Sequence, residues 1–324
     1  MTEDAELARM PVEIICSVLN GATFLPAFLR SVQAQSHQSW RLWIRDDGST
    51  DETVSVAEEF SRADDRITLL HIGGPKLGVA GGFGWLLERV PADATYVMCG
   101  DADDVWLPHK VERELAAMVA AERESPGPVL VHSDLVVVDE QLSVIHPSFW
   151  SYSRLEPEPV SLRRLVTGNM VTAPTVMLNR ELCTVIGRTP AEVRYQDWWY
   201  ALTAVAFGRI VALRESTVLY RQHSHNVVGA RRRYGFTMAA APREIVKALL
   251  RSSRLRADLA YSCLQAATFL SRYREVLGED DRLFLEAFSL IPTRRVVRRK
   301  IDLLRIGLPR QHGLLRNLGM LLRG

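Results

Sequence analysis

Residues 96–108 read YVMCGDADDVWLP, a short apolar run that stops at three carboxylates, Asp101, Asp103 and Asp104, within four positions. Tyr96, Val97, Met98 and Cys99 suit a buried strand of a parallel sheet, where both faces are covered and apolar residues follow one another without alternation. Gly100 then marks the strand's end. Ligands of open α/β sheets bind beyond the carboxyl ends of the strands, so the three aspartates stand where a polar ligand is expected. Carboxylates this close raise one another's pKa, and a divalent cation is the common means of keeping them ionised together. A solvated acidic turn ahead of a helix near Pro108 is the plainer reading, and the motif alone does not decide between them.

Upstream, the chain repeats one pattern. Val12 to Leu19 predicts a strand ending in the Asn20-Gly21 turn, and Phe24 to Gln35 a helix that accepts Pro26 in its first turn. Arg41 to Arg45 predicts a second strand. It ends in the polar turn Asp46-Asp47-Gly48-Ser49-Thr50-Asp51, where Ser49, Thr50 or Asp51 can cap a helix over Glu52 to Phe60. Ile67 to Ile72 reads as a third strand, followed by a glycine-rich crossing, with Gly78, Gly81, Gly82 and Gly84, whose amides can approach a phosphate or a sugar. With the helix Leu107 to Ala121, four strand-then-helix units alternate, the pattern of a doubly wound α/β sheet. Beyond Pro128, strands at 129–132, 175–178, 209–213 and 217–220 and a helix over 198–206 are expected to complete the sheet and wall the cleft.

The whole chain sets the outer limits. Its 324 residues, 47% hydrophobic and 24% charged, are globular in composition and long enough for about two domains. The net charge of +2 hides an asymmetry: residues 230–324 carry 20 Lys and Arg against 8 Asp and Glu, and residues 1–229 carry 20 against 30. Cys16, Cys99, Cys183 and Cys263 are widely spaced with no CxxC pair, which reads as buried, reduced thiols in a cytosolic protein. The acidic N-terminus lacks an apolar core, so neither a secretory signal nor an anchor is expected there, and no apolar run is long enough for a spanning helix. No nucleic-acid reading module is recognisable.

Two further constellations can carry chemistry. Asp197, in Gln196-Asp197-Trp198-Trp199, falls at a helix start, where a carboxylate serves either as an N-cap or as a catalytic group. Tyr220-Arg221-Gln222-His223-Ser224-His225-Asn226 places imidazoles and a guanidinium just after a strand, as metal ligands, phosphate donors or solvated side chains.

Taken in order, Val18-Leu19-Asn20-Gly21, Asp46 to Asp51, Asp101 to Trp106, Gln196 to Trp199, and Tyr220 to His223 with Asn226-Val227-Val228-Gly229 resemble the family 2 glycosyltransferases, most closely their rhamnosyltransferase-like branch. The likeness runs over about residues 12–230. It implies the GT-A nucleotide-sugar-binding fold, with a Rossmann-like, mostly parallel sheet over residues 1–230 and a helical extension over 231–324. By the same resemblance Ser17, Asn20 and Asp47 hold the nucleoside of a nucleoside diphosphate sugar, Asp103 coordinates Mg²⁺ or Mn²⁺, and Asp101 lies near the ribose or the metal. Asp197 is the implied general base. Gly78 and Gly82 match a donor-sugar loop that usually carries Asn at position 82, a departure that bears on one sugar or phosphate contact. Ala173-Pro174 replaces the usual Gly-Cys or Gly-Thr, a departure bearing on the acceptor pocket. Arg221 is expected on the donor, His223 on the metal, and Trp106, Trp198 and Trp199 on the sugar faces of the acceptor.

The reading is an inverting, metal-dependent transfer from a donor such as dTDP-rhamnose to a glycan or lipid-linked hydroxyl. A non-catalytic nucleotide-sugar binder on the same scaffold is the alternative; an Asp-nucleophile phosphatase fits less well, having no place for the Asp47 turn or Trp198-Trp199. From Arg294 onward, arginines interleave with Leu, Val and Ile. This pattern is read either as packing on the acidic catalytic domain or as a peripheral contact with the anionic inner face of the membrane.

Overall fold

The computed structural model describes residues 6–71, 75–158, 160–224 and 253–293. The chain divides into two compact units, one of Met1–Pro159 with Met170–Arg232, the other of Val160–Asn169 with Arg233–Gly324. The short segment 160–169 thus belongs with the C-terminal unit, although it falls inside the stretch read as the catalytic domain.

In the larger unit, β1 (Val12–Val18), β2 (Trp40–Asp46), β3 (Ile67–His71) and β4 (Tyr96–Cys99) lie parallel in the order β3-β2-β1-β4. Six of the seven residues of β1 and all four of β4 are buried, as unalternating apolar runs require. The helix α1 (Leu25–Gln33) buries Leu25, Phe28, Leu29 and Val32, spaced for one helical face, and Pro26 sits in its first turn. Full burial of side chains of this size contributes about 1.5–3 kcal/mol each. Next come α2 (Thr53–Ala63) and α3 (Gly78–Leu87), and after the aspartates the two-residue β5 (Val105–Trp106) and α4 (Lys110–Glu124).

The second half of the sheet is mixed. It contains β6 (Val129–Val138), β7 (Val144–His146), β8 (Met177–Asn179) and β9 (Arg209–Arg221). β8 pairs antiparallel with both β4 and β6, β9 runs parallel to β6, and β5 closes antiparallel on β9. Where two strands were expected over 209–220 there is one of 13 residues. Register shifts against β6 at Ser133/Asp134 and Asp134/Leu135 absorb the polar Arg214-Glu215-Ser216 that looked like a turn.

Between the strands lie α5 (Phe149–Ser153), α6 (Leu162–Thr167), α7 (Arg180–Ile186) and α8 (Gln196–Phe207). The first three are too short to show a period, but each has a side-chain cap. Ser148, Ser161 and Asn179 accept from the amides of Ser151, Arg164 and Leu182. In the smaller unit α6 joins α9 (Ser253–Tyr273) and α10 (Glu279–Ser289), with Phe284, Leu285 and Phe288 buried and Arg163 over the Phe284 ring at 5.1 Å. Among the described residues no helix is long and apolar enough to cross a membrane. The basic segment from Arg294 onward lies outside the described residues, as do His225 and Asn226 to Gly229.

Candidate active site

The acidic motif sits where β4 ends, and Gly100 is what allows it to turn there. A Cβ at Gly100 would lie 2.5 Å from Phe28 Cζ and 3.3 Å from Trp106 Cζ2, while the Gly100 amide donates to Ile15 O at 2.9 Å. Beyond it, Asp101, Asp103 and Asp104 can each present one oxygen within 4.8 Å of the others.

The end of β9 holds this loop from the other side. The Arg221 amide donates to Asp104 Oδ1 at 2.9 Å, and its Nε donates to the Asp103 carbonyl at 2.8 Å. Its Nη1 reaches the Glu140 carbonyl. Arg221, expected on the donor, is buried here and clamps the aspartate loop. His223 Nε2 lies 2.9 Å from Asp103 Oδ2, with the His223 side chain 7% exposed and that of Asp103 32%. The two residues expected on the metal thus lie side by side.

Burial, and then the charges of Asp103 and Asp197, push the Asp101 carboxyl well above the usual range. Burial and the charges of Asp103 and Asp101 do the same to Asp104, against the opposing Arg221. Asp104 Oδ2 is buried with no hydrogen-bond partner. An orphaned carboxylate oxygen among mutually repelling oxygens, with an imidazole on one of them, is a donor set that fits a hard divalent cation.

Asp197 comes from a different element. It lies in the first turn of α8, partly exposed, with Tyr195 at the capping position, and its Oδ1 accepts from the Trp198 amide at 2.6 Å. A first-turn carboxylate gains from the helix dipole. Its charge reaches Asp101, and also Tyr220, whose hydroxyl pKa is raised by burial and then by Asp104, Asp101, Asp103 and Asp197. Tyr220 thus lies within electrostatic reach of these carboxylates.

The residues expected on the nucleoside are mostly engaged with protein. Asp47, 4% exposed, accepts from Arg45, from the Leu77 amide at 2.7 Å and from the Gly78 amide at 2.9 Å. Asn20, at φ 50°, accepts from the Thr50 amide at 2.8 Å and so ties the turn after β1 to the turn after β2. Ser17 is partly exposed at the end of β1. The glycine-rich stretch is helical from Gly78 onward, not a loop. Packing overrides the cost of glycine in a helix, about 1 kcal/mol each, because Ala80, Phe83, Leu86 and Leu87 are buried. A Cβ at Gly82 would lie 2.1 Å from Ser17 Oγ, so Gly82 is where α3 meets β1, and no side chain projects there. Gly78, at φ 69°, serves the turn into the helix.

All three tryptophans expected on the acceptor are buried. Trp106, 2% exposed, packs edge-on against Phe28 at 5.8 Å, and Trp199 is 0% exposed, so neither can stack on an acceptor sugar. The two-residue alternation of β5 and the inward face of α8 put them there. Trp198 retains 8% exposure.

The sequence model described as Glycosyl transferase family 2 matches residues 13–175, just over half of the chain. The chain belongs to this family. Among its relatives, a Bacillus subtilis (strain 168) glycosyltransferase, TuaG, named for teichuronic acid biosynthesis, is 28% identical over 172 residues, 52% of this chain and 62% of that protein. The Shigella flexneri dTDP-rhamnosyl transferase RfbG is 24% identical over 225 residues, 65% of this chain and 72% of its own. The chain spans less than two thirds of TuaG. The S. aureus TarS 1-349 structure with UDP-GlcNAc aligns with a TM-score of 0.52 at 15% identity, over 90% of this chain and 84% of that one. The mannosyltransferase PcManGT from Pyrobaculum calidifontis, solved with GDP-Man and Mn2+, aligns at 0.50 and 16% identity, over 97% and 79%. These likenesses establish the GT-A fold for this family 2 chain.

Proposed function

We propose that this family 2 protein is an inverting glycosyltransferase that moves a sugar from a nucleoside diphosphate onto a glycan or lipid-linked hydroxyl. The observation that carries the reading is the Asp101–Asp103–Asp104 cluster at the end of β4, with Asp197 at the start of α8 near enough for its charge to act on Asp101.

The chemistry divides between them. Asp103 and His223 would hold Mg²⁺ or Mn²⁺, which would supply Lewis-acid charge for the diphosphate leaving group. Asp101 and Asp104 complete the oxygen-rich surface, and Arg221 holds the loop that carries them. On the acceptor side, the Asp197 carboxylate takes the proton from the attacking hydroxyl. The hydroxyl oxygen bonds to the anomeric carbon as the bond from that carbon to the diphosphate oxygen breaks, so the configuration inverts. Trp198, next to Asp197 in the chain and 8% exposed, is the acceptor contact in this reading. The donor we infer is dTDP-rhamnose, supported by the order of the sequence motifs and the likeness to RfbG. A lipid-linked acceptor fits placement on the inner face of the cell membrane.

Asp197→Asn keeps the shape of the side chain and an acceptor for the Trp198 amide, so the thermal midpoint stays near that of the parent while turnover falls about 10²- to 10⁴-fold. Retained turnover with a lowered midpoint would make Asp197 only a first-turn helix residue. Asp103→Ala abolishes transfer and metal-dependent nucleotide binding while the protein stays folded, as expected for a partly exposed loop residue. Full activity in a chelator would remove the metal from the mechanism. A panel of dTDP-, UDP- and GDP-sugars reads the donor directly, and preference for a UDP-hexose would retract rhamnose while leaving the transferase.

A further inference from the structure

Phe24 lies in the turn between β1 and α1, outside every motif read from the sequence, yet its ring touches both side chains that grip the acidic loop. The His223 ring packs on it with centroids 4.8 Å apart and an interplanar angle of 31°. The Arg221 guanidinium carbon lies 4.7 Å from the Phe24 centroid, within cation–π range. The His223 ring meets Asp103 Oδ2, and the Arg221 Nε donates to the Asp103 carbonyl while the Arg221 backbone amide donates to Asp104 Oδ1.

The turn that carries Phe24 is itself fixed. The Phe24 and Leu25 amides donate to Gly21 O at 3.0 and 2.9 Å. The Gly21 amide donates to Thr53 Oγ1 at 2.8 Å, and the Ala22 amide to Asp51 Oδ2 at 3.1 Å. Phe24 therefore stands on a braced turn, itself partly buried.

An imidazole that shares a site with a carboxylate needs its ring plane set by something other than that carboxylate. Losing a group that orients a metal ligand from behind typically costs about 10- to 100-fold in metal affinity or activity. We propose that Phe24 is a positioning residue for the Asp103–His223 pair: its ring face fixes the plane of His223 and the direction of Arg221, and so presents the pair to a divalent cation. This rests on the metal reading given above. It also links the turns after β1 and β2 to the aspartate loop through one ring.

The test measures Mn²⁺ binding to the full chain by electron paramagnetic resonance, without donor or acceptor, for wild type, Phe24→Ala, Phe24→Leu, Phe24→Tyr and Asp103→Ala, with a thermal midpoint for each. The expected result is Mn²⁺ binding by wild type that Asp103→Ala abolishes, a dissociation constant raised about tenfold or more in Phe24→Ala and Phe24→Leu, and recovery in Phe24→Tyr, which keeps the ring face. Leu keeps apolar bulk, so Phe24→Leu carries the test should Phe24→Ala fail to fold. A purely structural Phe24 would lower the midpoint without moving the dissociation constant, and wild-type affinity in Phe24→Leu would overturn the proposal. If wild type binds Mn²⁺ only at sites that Asp103→Ala leaves intact, the metal reading itself falls, and this inference with it.

Discussion

Gly100 shows how a single missing side chain places a site. The Phe28 ring occupies the space into which a Cβ would project, and Trp106 closes it from the other side. Gly100→Ala must therefore shift either the core or the loop, at a cost of about 1–3 kcal/mol for overpacking. Because the aspartates begin one residue later, we expect this variant to bind Mn²⁺ more weakly as well as to melt earlier. Isothermal titration beside a thermal scan reads both, and an unchanged melt would show that the Phe28 ring can move aside. Arg221 makes the complementary point. The family resemblance put it on the donor, but a planar guanidinium with several donors is also the side chain best able to satisfy loop carbonyls, and here it bonds two of them.

The elements are joined beneath the site by a buried ion pair. Lys110 and Glu114, one turn apart on α4 and both fully buried, meet at 2.6 Å. Glu114 Oε1 also accepts from Ser133 on β6 at 2.9 Å and Thr217 on β9 at 3.0 Å, while those two hydroxyls are 2.6 Å from each other. Burial acts most strongly on both charges, lowering the Lys110 pKa and raising that of Glu114 against their mutual attraction. Lys110→Met leaves a buried carboxylate uncompensated and is expected to cost about 3–5 kcal/mol. Lys110→Met with Glu114→Leu removes both charges and leaves Ser133 and Thr217 bonded to one another, so most of that loss should return. Urea unfolding of the three proteins measures it, and a double variant as unstable as the single one would show that the pair contributes more than its mutual neutralisation.

Across the whole molecule, acid stability carries the mark of His132 in the middle of β6. It is fully buried, both ring nitrogens lack a hydrogen-bond partner, and its nearest ring is Trp150 at 5.3 Å. Burial pushes its pKa down to about 4. The unfolded chain takes up this proton near pH 6.5, whereas the native protein resists it until about pH 4. Stability from this group is thus complete above about pH 6.5 and falls as the pH drops, by about 3 kcal/mol at pH 4. His132→Leu should flatten that part of the stability–pH curve in urea titrations from pH 7 to 4.5, and an equally steep curve would assign the loss to other groups.

The strand-then-helix alternation, the polar turns at the strand ends and the acidic motif were legible because each is local: apolar runs, glycine and carboxylates declare themselves within a few residues. So were α1, α4 and α8, long enough to show a period. The two-residue β5, the single strand through Glu215 and the helix begun at Gly78 were not, since pairing and packing decide them after the chain has closed. The same division holds at the site. The sequence by itself determined which residues can carry charge: Asp101, Asp103, Asp104, Asp197 and His223. Only the tertiary structure decided that Trp106 and Trp199 face the core, that Arg221 holds a loop, and that Phe24 stands behind His223. Burial and contact are set by elements far apart in the chain, and no local pattern records them.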